Sequence, residues 1–279
     1  MKTAIVGTGL IGGSLALALK KTGFASNIIG VDKNPDNLQK AMSLGIIDSQ
    51  ATLPEACQMA DLIVLAIPVD AIYYILVEVL DKIHERTIVV DMGSTKSKIC
   101  QLVKDHPKRQ NFVASHPIAG TENAGPEAAL VNLFQGKKAI ICEEQRSSKP
   151  ALELAISMYK TLEMNIEIME PEIHDLHIAY VSHLSHISAF SLGLTALDMA
   201  VKEKDMFKMA GGGFSSTVRL AKSSPEMWGP IFEQNNENIS AALGEYIDHL
   251  IAFKKAIDEG NTTRTKELME KAAIIRSKI

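Results

Sequence analysis

The sequence has little of what would place it outside the ordinary globular proteins. It has only three cysteines in 279 residues, Cys57, Cys100 and Cys142. They are odd in number, far apart and set among aliphatic neighbours, which suggests neither a disulfide framework nor a zinc knuckle. A buried thiol acting as a small hydrophobe is the plain reading of each, and a reducing cytoplasm is the expected compartment. Neither sign of charge dominates: 29 basic against 33 acidic residues leave a formal charge of −4. Nothing in that balance favours DNA, RNA or anionic lipid as a partner, so a small ligand is expected. Internal repeats, low-complexity tracts and disordered tails are also missing.

An uninterrupted apolar run is lacking too. The opening MKTAIVGTGLIGGSLALALKK holds 17 uncharged residues between Lys2 and Lys20, but Gly7, Gly9 and Gly12 break it. A spanning helix needs about 20 apolar residues, and a signal peptide needs a continuous apolar centre followed by a cleavage site. Neither export nor membrane attachment is expected.

What is present is core material, with 46% hydrophobic against 22% charged residues, in a chain long enough for two domains. Short apolar runs alternate with helical patterns through the first 170 residues. Strands are expected at TAIVG (3–7), NIIGVD (27–32), DLIVLAI (61–67), TIVVD (87–91), NFVAS (111–115), KAIICE (138–143) and NIEIM (165–169). Helices are expected at IGGSLALALKKT, PDNLQKAMSLG, VDAIYYILVEVLDKI and KSKICQLVKD. Strand, helix, strand repeated predicts an α/β Rossmann-type doubly wound parallel sheet over residues 1–170. Residues 171–279 contain no convincing strand and predict an all-helical domain, broken near GGGF, near SSP and at Gly260. There IFEQNNENISAALGEYIDHLIAFKKAI reads as one long helix, which suits either a partner chain or internal packing.

The glycines gain meaning from their surroundings. A strand, then GTGLIG, then a helix is the setting of a dinucleotide cradle built from Gly7, Gly9, Leu10, Ile11 and Gly12. Its glycines permit a tight turn and close approach of a pyrophosphate, which the helix N-terminus then faces. Asp32 ends the second strand, where a carboxylate accepts from ribose hydroxyls and favours NAD over NADP. Ile67 and Pro68 end the next strand on the same rim and are expected to pack against the cofactor.

Ligands of open α/β sheets bind beyond the carboxyl ends of the strands. Two polar clusters fall there, DMGSTKSK and SHPIAGTE. Ser94 either caps a helix starting near Thr95 or serves a ligand. His116, directly before Pro117 and a loop with Gly120, Thr121 and Glu122, is either structural or a base that takes an alcohol's proton as its carbon loses hydride. The helical half opens with HDLHIAYVSHLSH. At about 100° per residue His174 and His177 fall on one side of a helix with His183 and His186 roughly opposite, which argues against a metal site. His183 and His186 either face the cleft or pack between helices. Arg219, after GGGF, offers a fork suited to a carboxylate. Trp228, the only tryptophan, reads as core or interface.

Together GTGLIGGSLALALK, DMGSTKSKI, SHPIAGTENAGP, HDLHIAYVSHLSHISAF and GGGFSSTVRLAKSSPEMW resemble the prephenate and arogenate dehydrogenase family over essentially the whole chain. The resemblance implies an NAD-binding domain, a helical domain that forms a homodimer, and an active site between them. It implies that His116 accepts the proton of the ring hydroxyl and that Ser94 orients that hydroxyl. Arg219 then holds a substrate carboxylate, and His186 lines the pocket with His183 nearby. Thr121 and Glu122 gate or order that pocket, and Gly212 and Trp228 reach a pocket from the partner subunit. The implied reaction is oxidative decarboxylation of prephenate to 4-hydroxyphenylpyruvate, in tyrosine biosynthesis.

Ser215, Ser216, Thr217 and Val218 stand where similar proteins often carry charge, which favours the keto substrate prephenate over the amino substrate arogenate, although Glu122 is able to serve an amine. The chain leaves no room for a regulatory domain, so tyrosine inhibition is expected at the active site. Two rival readings are a 3-hydroxyacid or imine-type dehydrogenase and a non-catalytic NAD sensor. The first usually needs a lysine that Glu172 to Ala200 lacks, and the second leaves His116, His186 and Arg219 unexplained.

Overall fold

A computed structural model describes residues 1–203 and 205–278. Eight strands form one sheet: β1 (Lys2–Val6), β2 (Asn27–Val31), β3 (Ser49–Gln50), β4 (Leu62–Leu65), β5 (Ile88–Asp91), β6 (Phe112–Pro117), β7 (Lys138–Cys142) and β8 (Asn165–Met169). Their order is β3-β2-β1-β4-β5-β6-β7-β8. The helices of this half are α1 (Leu10–Lys21), α2 (Pro35–Ser43), α3 (Leu53–Met59), α4 (Val69–Lys82), α5 (Ser97–Val103) and α6 (Lys149–Thr161).

The central strands read as unbroken apolar runs because both faces are covered. Ile5, Ile28, Val64, Val90 and Ile141 pack towards α1 and α6. Their neighbours Ala4, Ile29, Leu65, Val89 and Cys142 pack towards α3, α4 and α5. Cys57, Cys100 and Cys142 are all buried and free; burial pushes the thiols up, that of Cys142 to about 12.

The sheet departs from the expected parallel form at one ladder. β7 runs antiparallel to β6, while β8 is parallel to β7. The connection from β6 to β7, residues 118–137, carries no α-helix, so no crossover returns the chain to the far end of the sheet. This reversal also lengthens β6. Its ladder with β5 ends at Val113, but pairing with β7 continues through His116 to Pro117. His116 therefore lies within a strand rather than in the loop after it. The two-residue β3 and the seven-residue α3 were too short to leave a period in the sequence.

The second half is helical: α7 (Pro171–Ile178), α8 (Leu184–Ala200), α9 (Gly212–Val218), α10 (Pro225–Gln234), α11 (Asn236–Asp258) and α12 (Thr262–Ala273). A π-helical turn over Ala179–His183 joins α7 to α8. The segment read as one long helix is two, because Asn235 leaves helical geometry at φ −113° and ψ 28°. Among the described residues no helix is long and apolar enough to cross a membrane.

Candidate active site

β1, β4 and β5 end along one rim of the sheet, and β1 and β4 are adjacent where the strand order reverses. That reversal opens the crevice in which open α/β sheets take their ligands. Gly7 has φ +93°, and a Cβ there would stand 2.3 Å from the Ala66 carbonyl oxygen. A Cβ on Gly12 would stand 1.9 Å from the Gly7 oxygen. A Cβ on Gly9, by contrast, would meet nothing within 4 Å. Gly7 and Gly12 are thus required by the protein's own packing, whereas Gly9 keeps open the space in front of α1.

α1 has no capping side chain and no acid in its first turn, which leaves its N-terminal N–H groups for an anion. Thr8 N–H and Oγ–H both donate to Asp32 Oδ2, at 2.9 and 3.0 Å. Asn34 N–H donates to Oδ1 at 2.9 Å. Ile67 and Pro68 follow β4, with Ile67 against Gly7. The 118–137 connection closes one side of this seat, where Leu130 N–H donates to Ser14 Oγ at 2.8 Å. These residues fit a dinucleotide: an uncapped helix start, an open Cβ direction at Gly9 and a carboxylate just after β2, bonded to the turn.

His116 and Ser94 stand further along the rim. Ser94 is not a helix cap, since α5 starts at Ser97, and its hydroxyl has no protein partner among the described residues. His116 is buried, and its Nδ1 lies 2.9 Å from Nε2 of His174 on α7. Burial first, then the neighbouring charges of His174, Lys96 and His183, hold its pKa well below the ordinary histidine value. His174 Nδ1 lies 2.8 Å from Asp175 Oδ1. Beneath His116 a wholly buried Lys96 Nζ pairs with Asp91 and donates to the Ser115 carbonyl at 2.7 Å. Burial pushes the Asp91 carboxyl up, against the pull of Lys96. Ser115 N–H donates to Asp91 Oδ1 at 2.8 Å, and the Ser115 hydroxyl bonds Asp91 O and Tyr159. This buried network fixes the ends of β5 and β6, and with them His116.

The facing wall comes from the helical half. The π turn adds a residue to the turn and carries His183 towards the side of His174, a rotation of about 100° from the straight-helix placement. Asn235 Nδ2 then donates to the Asp175 carbonyl at 2.7 Å and contacts His183 Nδ1 at 3.2 Å. The histidines are thus less evenly split than a straight helix predicts: His177 is exposed, while His174 and His183 are buried on the inner side. Among the described residues no three His, Cys, Asp or Glu side chains are grouped to hold a metal ion.

Trp228 stacks on His186, with centroids 3.5 Å apart, and meets His183 edge-on at 5.7 Å. It is buried in its own chain, where Val69 and Ile231 pack on it. Arg219 donates to Glu122 Oε2 at 3.1 Å across the mouth of the cleft. Gly212, the first residue of α9, is exposed, and Thr121 accepts from Asn123 N–H at 3.2 Å.

Residues 15–168 match the family model of the prephenate dehydrogenase nucleotide-binding domain, and residues 170–271 match that of the prephenate dehydrogenase dimerization domain. The chain belongs to the prephenate dehydrogenase family. Prephenate dehydrogenase of Bacillus subtilis is 31% identical over 262 residues, covering 91% of this chain and 70% of that protein. A crystal structure of prephenate dehydrogenase from A. aeolicus, in complex with hydroxyphenyl propionate and NAD+, is 36% identical with a TM-score of 0.90, over 100% of this chain and 98% of that one. Synechocystis arogenate dehydrogenase is 26% identical with a TM-score of 0.77, over 100% and 99%.

Direct contacts link His116 to His174 and, through Asp175 and Asn235, to His183, Trp228 and His186. Arg219 and Glu122 form a separate pair, and Ser94 and the glycine turn with Asp32 follow the ends of β5, β1 and β2. No role beyond a place in DMGSTKSK or the histidine cluster is legible in the sequence for Asp91, Lys96, His174 and Asp175, and none for Asn235. The one available signal was polarity in buried surroundings: an Asp beside a His at the start of α7, and a Lys between two apolar segments.

Proposed function

We propose that this chain is an NAD-dependent prephenate dehydrogenase that converts prephenate to 4-hydroxyphenylpyruvate. One observation carries the reading: a buried, neutral imidazole, His116, stands on the rim that also holds the glycine seat, opposite a wall with an arginine at its mouth. NAD, seated by Gly7, Gly9, Leu10, Ile11, Gly12, Asp32, Ile67 and Pro68, supplies the hydride acceptor. His116 takes the proton of the ring hydroxyl as the hydride leaves the same carbon, and Ser94 orients that hydroxyl. The bond to the ring carboxylate breaks, CO₂ departs, and its electron pair aromatises the ring. His116 then returns the proton to the phenolate oxygen. The protein need not activate the carboxylate; it positions the ring and manages one proton.

Arg219 binds the side-chain carboxylate, with Glu122 and Thr121 gating its entry. His183, His186 and Trp228 wall the ring, with Gly212 beside the mouth. Because Glu122 is already engaged by Arg219 and residues 215–218 carry no charge, a keto acid suits the site better than an amine. Residues 1–170 bind the nucleotide, and residues 171–279 complete the substrate site and form a homodimer. Exposed Leu192, Leu194 and Leu197 on α8, with Ile247, Leu250 and Ile251 on α11, supply the apolar surface for that dimer. Its three free buried thiols suit a reducing cytoplasm, and tyrosine competes with prephenate at the same site.

The test is NADH formation with prephenate, arogenate and simple hydroxy acids offered separately. Turnover of prephenate above the others is expected. Activity with neither cyclohexadienyl substrate would overturn the reading, and a purely noncompetitive effect of tyrosine would overturn its placement.

A further inference from the structure

Groups behind His116 decide which of its nitrogens is free to take a proton. Asp175 accepts hydrogen bonds from His174 Nδ1, from Lys96 N–H and from Ser97 N–H, each at 2.8 Å. The last two lie at the start of α5. Burial works against the charge, but the bonds from His174 and Ser97 hold the Asp175 carboxyl below its ordinary value. An ionised carboxylate only accepts, so the hydrogen of His174 is on Nδ1. In the neutral ring Nε2 of His174 is then an acceptor. The 2.9 Å contact with His116 is a hydrogen bond only if His116 Nδ1 carries its hydrogen. A neutral His116 has one hydrogen, which leaves a lone pair on Nε2. That nitrogen has no protein partner among the described residues, yet it is not among the atoms sealed from solvent.

We infer that His174 and Asp175 are positioning residues that select the Nδ1–H tautomer of His116 and so present its Nε2 as the base to an alcohol in the cleft. The inference rests on the role proposed for His116. When the O–H bond breaks and an N–H bond forms at Nε2, the Nδ1–H donated to His174 carries the new positive charge towards Asp175. No second proton moves, and Asp175 stays ionised. The device also spans the two halves of the chain. Asp175 belongs to α7, but its bonds to Lys96 and Ser97 hold the segment that bears Ser94, so the correct tautomer exists only where α7 is docked on α5.

Packing alone would make a weaker demand. His174 meets His116 edge-on, with centroids 5.1 Å apart and planes at 72°, an arrangement that phenylalanine also satisfies. The experiment is ¹⁵N NMR of the full-length, ligand-free protein labelled at histidine, with the His116 signals assigned by their loss in His116→Asn. Kinetics of His174→Phe and His174→Gln accompany it. The wild type should show a protonated Nδ1 and an unprotonated Nε2. His174→Phe should move the hydrogen to Nε2 and lower kcat at least about tenfold, with KM and NAD affinity nearly unchanged. His174→Gln, whose amide oxygen still accepts from Nδ1, should recover most of that loss.

A wild-type His116 protonated at Nε2 would overturn the inference. So would a His174→Phe variant with unchanged tautomer and kcat. Because the tautomer is read without substrate, an Nδ1–H tautomer in an enzyme that fails to oxidise prephenate would overturn the functional reading alone.

Discussion

Asp32 is bonded through a single carboxylate oxygen to both the backbone and the hydroxyl of Thr8, at 2.9 and 3.0 Å. The carboxylate proposed to select the ribose and the turn proposed to hold the pyrophosphate are therefore one unit. Asp32→Ser should raise KM for NAD by roughly tenfold, the worth of one charged hydrogen bond. It should also narrow the preference over NADP, since the charge that repels a 2′-phosphate is gone. Thr8→Val should disturb NAD binding less, because the backbone N–H remains. Titration of both variants with the two nucleotides decides this, and equal selectivity in wild type and Asp32→Ser would contradict it.

His116→Asn removes the proposed base while keeping a side chain of modest size on β6. Its kcat should fall by about 10² to 10⁴, the usual range for a positioned acid–base group, with little change in NAD affinity. The pH profile gives a second test. Burial first, and then the repulsion a charged His116 would meet from Lys96 and from protonated His174 and His183, hold its pKa well below the ordinary histidine value. The acidic limb of kcat/KM should therefore lie below about pH 6.5, with activity flat from there through neutrality.

Arg219 donates to Glu122 in an exposed pair, so a substrate carboxylate bound there as proposed would replace one acceptor with another. Arg219→Gln should raise KM for prephenate roughly ten- to a hundredfold, with a smaller effect on kcat. Glu122→Gln should lower KM for the dianionic substrate by freeing the guanidinium. Steady-state kinetics of the pair would expose an error if both variants moved KM in the same direction.

How much of this was legible beforehand follows from where each signal lives. The central strands were legible because residues such as Ile63 and Val89 are buried in a sheet covered on both faces, which leaves continuous apolar runs. The glycine turn was legible because its requirement is local: Gly7, Gly12 and the strand before them are adjacent in sequence. The antiparallel β7 was not, since strand direction depends on a connection whose path has no period. His174 was hidden for a similar reason. Its partner His116 is 58 residues away, and helical spacing grouped it with the exposed His177. The π turn and the break at Asn235 arise from tertiary bonds to Asp175 and His183, which propensity along a helix does not register.

The buried histidines also set the response of stability to acid. The pKa of His183 is lowered to about 4 by burial, against the opposing charge of Asp175, and His116 is lowered as well. A histidine with a depressed folded pKa gives its full contribution when neutral. That contribution is lost as pH falls below about 6.5, because the unfolded chain binds the proton that the fold refuses. His183 alone accounts for roughly 3 kcal/mol by the time the pH reaches its folded value. Chemical denaturation should show stability falling between about pH 6.5 and 4, with a shallower slope in His183→Gln. An unchanged slope would place the acid sensitivity elsewhere.

Gly7 and Gly12 on one side and Gly9 on the other separate what the fold needs from what a ligand needs. Gly12→Ala puts a methyl 1.9 Å from the Gly7 carbonyl oxygen, and Gly7→Ala meets the Ala66 oxygen at 2.3 Å from a left-handed backbone. Both should destabilise the free protein by about 1 to 3 kcal/mol or more, the usual cost of overpacking, before any nucleotide is present. Gly9 is different. Its φ of −72° and ψ of −156° suit alanine, and the added carbon meets nothing within 4 Å. Exchange of Gly for Ala at a helix N-cap costs on the order of 1 kcal/mol or less. Gly9→Ala should therefore fold with near-normal stability and still lose NAD affinity, because the methyl fills the space a pyrophosphate enters. Denaturation of the free protein together with NAD titration reads both quantities. If Gly9→Ala bound NAD normally, the open space in front of α1 would not be the phosphate seat.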